Sequence, residues 1–78
     1  MAKLELYGTQ GCPYTQEMRE WLEWKRTAFT EYDIEADQEA RERVRAFAEP
    51  PFNVPILVED GKILQVGWQG RSCVLNTK

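Results

Sequence analysis

Histidine is missing from the 78 residues altogether. That removes His-based general acid–base chemistry, His-containing nucleophilic triads and most catalytic zinc sites. Cysteine is scarce: Cys12 and Cys73 are too few for a disulfide-stapled scaffold, and too few for a four-cysteine zinc or iron–sulfur site in one chain. No metal site is expected. Apolar runs are only a few residues long, far below the roughly 20 that a membrane-spanning helix needs. The opening Met1-Ala2-Lys3-Leu4-Glu5 has no apolar core of a secretory signal. A basic excess is lacking too. Ten Lys and Arg against 13 Asp and Glu leave a net charge of −3, which argues against nucleic acid or an anionic membrane as partner. Internal repeats and Gly/Ser linkers are absent. What remains, 42% hydrophobic and 29% charged residues, is the composition of one small globular domain over 1–78. A monomer in the reducing cytoplasm is expected, where a cysteine serves as a reactive thiol or a core filler.

The hydrophobic pattern gives an order of elements. Leu4-Glu5-Leu6-Tyr7 alternates like a strand, and Gly8-Thr9-Gln10-Gly11 ends it. Pro13 suits a first helical position. Tyr14, Met18, Trp21, Leu22 and Lys25 then share one face, predicting a helix over about 13–26. Phe29–Ile34 reads as a second strand. Asp37 is a good cap for a second helix, with Ala40, Val44, Phe47 and Ala48 on one face, stopped by Pro50-Pro51. Its Arg41, Arg43 and Arg45 alternate with glutamates, as on a solvated surface. Val54–Val58 is a third strand, with Pro55 confining its start to an edge or a turn. Asp60-Gly61 marks a hairpin returning through Ile63–Val66. Gly67–Gly70 reads as a loop, and one or two helical turns are expected after it. The sum is β-α-β-α-β-β: an α/β fold whose four-stranded mixed sheet starts from a right-handed parallel crossover.

Cys12 falls between a strand and a helix, directly before Pro13. As the cap it would face the free amides of the first turn and the positive end of the helix dipole. Thr15 would add its N–H and its hydroxyl. Those influences favour the thiolate, the nucleophile of thiol–disulfide exchange. A buried cysteine that merely caps the helix is the alternative, and the strand-to-helix turn before a proline favours an exposed, reactive one.

Cys12-Pro13-Tyr14-Thr15 resembles the Cys-Pro-Tyr-Cys active site of the glutaredoxins, with Thr15 in place of the second cysteine. Asn53-Val54-Pro55 resembles that family's Thr-Val-Pro segment, with its cis proline, and Gly67 falls where the family has a Gly-Gly loop. The CPYT pattern looks nearest the Uxx-star branch, in which selenocysteine often holds the first position. The resemblance implies a thioredoxin-like fold. It also implies a single-cysteine thiol–disulfide oxidoreductase in which Cys12 attacks a mixed disulfide, with glutathione as co-substrate. Cys12 and Thr15 would be catalytic. Gly11, Pro13, Tyr14, Asn53, Val54, Pro55, Gly67, Trp68 and Arg71 would shape the substrate groove. The partners implied are a disulfide-bearing or glutathionylated protein or small molecule, and an external thiol reductant.

Departures from the family pattern redirect parts of this reading. Thr9 stands where the family has a lysine for a glutathione carboxylate, Phe52 replaces a basic or amide residue, and the acidic pair for the γ-glutamyl ammonium is lost near Gly70-Arg71. Arg71 would take one carboxylate, while the Val54 backbone would pair with the peptide as an added strand. Cys73 is either a thiol that resolves the adduct on Cys12 or a small apolar residue of a final helical turn, and the second is expected. Trp68 is either an aromatic wall or a packing residue. Two other functions compete: a [2Fe–2S] carrier sharing Cys12 between two chains, disfavoured by Pro13-Tyr14, and a redox-inert interaction module.

Overall fold

The computed structural model of the chain describes residues 3–49 and 51–75. The elements run β1 (Leu4–Gly8), α1 (Pro13–Trp24), β2 (Thr30–Asp33), α2 (Gln38–Val44), β3 (Phe52–Val54), β4 (Ile56–Glu59), β5 (Lys62–Val66) and β6 (Cys73–Leu75). Four strands make one mixed sheet in the order β2-β1-β4-β5, with β1 parallel to β2 and antiparallel to β4. This is the α/β architecture expected.

The two central strands are apolar because both of their faces are covered. Leu6 and Leu57 pack with Met18 and Leu22 of α1 on one side of the sheet. Tyr7, Ile56 and Val58 point the other way, to Ala40 and Val44 of α2 and to Phe52 and Val54 of β3. The period-2 alternation of β1 therefore divides two cores rather than core from solvent. Even Glu5 is only 7% exposed. Arg43 of α2 reaches its carboxylate at 3.5 Å, so one arginine of the supposed solvated surface serves a buried acid.

The helices are shorter than the periodicity predicts. On α1, Thr15, Met18 and Leu22 are buried, Tyr14 and Trp21 half-buried, and Lys25 lies outside, its ammonium 4.2 Å from the Trp21 ring centroid. The Asp37 side chain caps α2, accepting from the N–H groups of Glu39 and Ala40. Asp60 and Gly61, both at positive φ, turn β4 into β5, as the hairpin signal requires.

Two expectations near the site are corrected. The third strand is two strands: the cis Val54–Pro55 bond separates β3 from β4, and only β4 joins the main sheet. The end of the described chain is a strand, not a helix. β6 pairs antiparallel with β3, placing Phe52 opposite Leu75, Asn53 opposite Val74 and Val54 opposite Cys73. The turn before it explains the reversal. Gln69 (φ 51°) and Gly70 (φ 79°) form a two-residue hairpin turn closed by Trp68 N–H to the Arg71 carbonyl at 2.6 Å and Arg71 N–H to the Trp68 carbonyl at 2.9 Å. Gly67 is needed just ahead of it: its φ is 84°, and a Cβ there would stand 2.7 Å from the Arg71 carbonyl oxygen.

Candidate active site

Cys12 is the N-cap of α1. Its backbone is extended (φ −98°, ψ 115°), Pro13 follows as the first helical residue, and no acidic side chain occupies the first turn. Its N–H donates to the Thr9 carbonyl at 3.3 Å, and its carbonyl accepts from Gln16 N–H at 3.3 Å. Cys12 thus stands at the helix start, as Cys12-Pro13 predicts, but its sulfur accepts no capping hydrogen bond from the first turn.

The sulfur is neither exposed nor free. Cys12 is 1% exposed and forms a disulfide with Cys73, the two Cα atoms being 6.0 Å apart. The expected exposed thiol and the expected apolar Cys73 of a helical turn are both corrected by one fact: β6 folds over the helix start and carries Cys73 onto Cys12. The carbonyl oxygen of Val54, the residue opposite Cys73, lies 3.9 Å from the Cys12 sulfur. Around the disulfide is a depression of about 150 Å³ lined by Thr9, Gly11, Cys12, Glu35, Cys73 and Leu75.

The other predicted residues divide into those near the sulfurs and those elsewhere. Pro13 and Tyr14 follow Cys12 on α1, with Tyr14 packed on the core that holds the Cys12 side chain. Val54 and Pro55 are buried beside it, whereas Asn53 faces out, its Oδ1 accepting from the Ser72 hydroxyl at 3.4 Å. Thr15 is fully buried but gives Cys12 no side-chain hydrogen bond; its hydroxyl lies against Gly8 and has no partner among the described residues. Trp68 packs on Trp21, ring centroids 5.5 Å apart, with the core on the α1 side of the sheet, and does not line the depression. Gly67 and Arg71 belong to the hairpin that aims β6. Arg71 is exposed and likewise absent from that lining.

Glu35 is the residue that sequence reasoning missed. It follows β2, accepts a hydrogen bond from the Thr9 hydroxyl, and so sets a carboxylate where the lysine of the family pattern would set a cation. Its backbone N–H is held by Asp33 Oδ1 at 2.9 Å, and its carbonyl accepts from the Arg41 guanidinium at 3.0 Å. In the sequence Thr9 reads only as a missing lysine. Nothing local to Thr9 announces a partner 26 residues away, which only the parallel pairing of β1 with β2 brings alongside.

Among the described residues no group of three or more Cys, Asp or Glu side chains is arranged to hold a metal ion, and no helix is long and apolar enough to cross a membrane.

Comparison with known proteins agrees with this geometry. The chain is 42% identical over 60 residues to a probable glutaredoxin, slr1562, of Synechocystis, an alignment covering 76% of this chain and 55% of that protein. It thus spans a little over half of that relative's length. The crystal structure of the thioredoxin-like protein BC3987 superposes with a TM-score of 0.71 at 29% identity, over 85% of this chain and 88% of that one. The glutaredoxin grx-1 of Archaeoglobus fulgidus shares the fold at a TM-score of 0.70, with 24% identity over 88% of this chain and 78% of that one. The glutaredoxin family model matches residues 4–64, which include the strand, the Cys12 turn, α1 and the cis proline, and on these grounds the chain belongs to the glutaredoxin family.

Proposed function

We propose that the protein is a thiol–disulfide oxidoreductase that cycles between a Cys12/Cys73 dithiol and the Cys12–Cys73 disulfide. The observation that carries this reading is the pairing itself: a cysteine at a helix N-terminus lies within bonding distance of a second cysteine on a three-residue strand. In the reduced protein the helix start stabilises the Cys12 thiolate, which attacks a substrate disulfide. The leaving sulfur departs as a thiolate, and Cys12 holds the adduct. Cys73 then attacks the Cys12 sulfur and releases the second substrate thiol. Two equivalents of an external thiol restore the dithiol, the first forming a mixed disulfide and the second releasing it as the external disulfide. This takes the place of the single-cysteine cycle implied by the missing cysteine at Thr15, with Cys73 supplying the second sulfur from the other end of the chain.

Glutathione stands in this proposal as the reductant, and as one thiol whose mixed disulfides Cys12 accepts. Backbone pairing at Val54 supports it more than charge does, because Glu35 faces its carboxylates where a lysine would attract them.

The test is mass spectrometry after mild oxidation with oxidised glutathione and blocking of free thiols. The expected product has lost two hydrogens and carries no label. A stable glutathione adduct on Cys12 beside a labelled Cys73 would return the reading to a single-cysteine cycle. Two labelled thiols would remove the activity.

A further inference from the structure

The depression at the Cys12–Cys73 disulfide carries one charged side chain, and its charge is negative. Of the six residues that line it, Thr9, Gly11, Cys12, Cys73 and Leu75 are uncharged, and Glu35 is the sixth. Its carboxylate is held in place: the Thr9 hydroxyl donates to it, and Thr9 is itself only 5% exposed. The backbone beneath is pinned as well. Ile34 N–H donates to the Gly8 carbonyl at 2.9 Å, Glu35 N–H to Asp33 Oδ1 at 2.9 Å, and the Glu35 carbonyl accepts from Arg41 at 3.0 Å. Among the described residues no cation shares the lining. Arg41 directs its guanidinium to the carbonyls of Ile34 and Glu35, and Arg71 lies outside the depression. The volume, about 150 Å³, is well below the roughly 300 Å³ at which drug-sized pockets begin, so it suits a short group beside the sulfurs.

We propose that Glu35 is a specificity-determining residue that sorts small disulfides by charge. Disulfides of aminothiols, with an ammonium group close to the sulfur, are preferred over neutral ones, and neutral ones over those bearing carboxylates. This rests on the oxidoreductase reading and names its small-molecule substrate class. The reason lies in the exchange itself. In the reduced protein Cys12 gives its proton to solvent, and its thiolate attacks one sulfur of the small disulfide. That S–S bond breaks, and the far sulfur leaves with the electron pair and takes up a proton. Cys73 then gives up its proton, its thiolate bonds to the Cys12 sulfur, and the second small thiolate leaves and is protonated. One small disulfide becomes two thiols, and the Cys12/Cys73 pair is oxidised by the same two electrons. In each step negative charge is shared among the attacking, central and leaving sulfurs. The Glu35 carboxylate beside them repels that charge, and an ammonium on the substrate offsets both. A carboxylate on the substrate adds to the repulsion instead. Glutathione, with two carboxylates against one ammonium, is by the same rule a poorer partner than an aminothiol of equal thiol acidity.

The experiment uses the reduced full chain and three disulfides of similar size: cystamine, bis(2-hydroxyethyl) disulfide and dithiodiglycolate. Loss of protein thiol is read by mass after acid quenching and thiol labelling. Each rate is divided by that of the same disulfide with mercaptoethanol, which removes differences in intrinsic reactivity. In about 0.1 M salt cystamine should lead dithiodiglycolate by about tenfold, with the neutral disulfide between them, and the lead should shrink in about 1 M salt. Glu35→Gln, whose amide oxygen can still accept from Thr9, should cut the lead to about threefold, and Glu35→Lys should reverse the order. Glu23→Gln removes the same charge near the far end of α1, roughly 16 Å along the helix from Cys12 and beyond a Debye length, and should leave the lead within about twofold of its value. No lead in the unsubstituted chain, an undiminished lead in Glu35→Gln, or an equal fall in Glu23→Gln would overturn the inference while leaving the oxidoreductase reading in place. A dithiol that reacts with none of the three disulfides would overturn both.

Discussion

Cys12 combines features that pull in opposite directions: it is a helix cap, where a sulfur is activated, and it is 1% exposed, where a sulfur is hidden. The disulfide reconciles them, since β6 both covers and bonds it. Cys12→Ser should therefore abolish disulfide exchange and leave the fold recognisable by circular dichroism; exchange persisting in that variant would end the assignment. A second residue-scale test lies below the site. A Cβ on Gly8 would collide with the Thr15 side chain, its own Cβ atom only 3.0 Å away, and Thr15 is fully buried. Gly8→Ala should cost about 1–3 kcal/mol in denaturant unfolding, the usual range for overpacking. At this scale the site was legible where chemistry is contiguous: Cys12-Pro13 named the nucleophile and Val54-Pro55 named the cis bond. It was illegible where residues meet through strand pairing, as Glu35 meets Thr9. Thr15 is equally hard to read, since its place in the motif suggests the sulfur while its hydroxyl lies against Gly8.

The elements follow the local signals as long as those signals are punctuated. Asp37 caps α2 as its position predicts, and Asp37→Ala should lower stability by about 1 kcal/mol, read as a fall in the denaturant midpoint with an unchanged slope. Asp60-Gly61 turns where it should. The misread element is β6. Three residues give no period to count, and a strand so short forms because β3 offers it an edge. Arg71-Ser72-Cys73-Val74-Leu75 therefore carries no local mark of strand over helix. The hairpin Trp68–Arg71 decides it, through the positive φ of Gln69 and Gly70 and the close approach at Gly67. Gly67→Ala would drive a methyl group into the Arg71 carbonyl. The variant should slow closure of the Cys12–Cys73 disulfide after a pulse of oxidant, measured as remaining free thiol, because β6 is no longer aimed at α1. Unaltered closure would show that β6 finds its place without the turn.

At the scale of the molecule, a chain of 78 residues is near the lower limit for one core, so each tie between distant segments counts. Two such ties can be titrated separately. Burial, with a smaller contribution from the neighbouring Glu5 carboxylate, pushes the Tyr7 hydroxyl up to about 12. An acid whose proton is held more tightly in the folded state keeps it when the unfolded chain has lost it. Its contribution is complete below pH 10 and is lost as pH rises from about 10 toward 12. Tyr7→Phe should flatten that alkaline fall, read as the denaturant midpoint against pH. The other tie is covalent. Cys12 and Cys73 are 61 residues apart in sequence, so their bond closes most of the chain into one loop. Loop-closure entropy for that length contributes on the order of 4 kcal/mol against unfolding. Reduction at pH 7 should thus lower the denaturant midpoint substantially, while exposing the backbone of β3 to amide exchange. The main sheet, whose four strands include neither β3 nor β6, should stay protected. A reduced protein that lost all protection at once would instead make the disulfide a condition of folding, and would leave no folded dithiol state to attack a substrate.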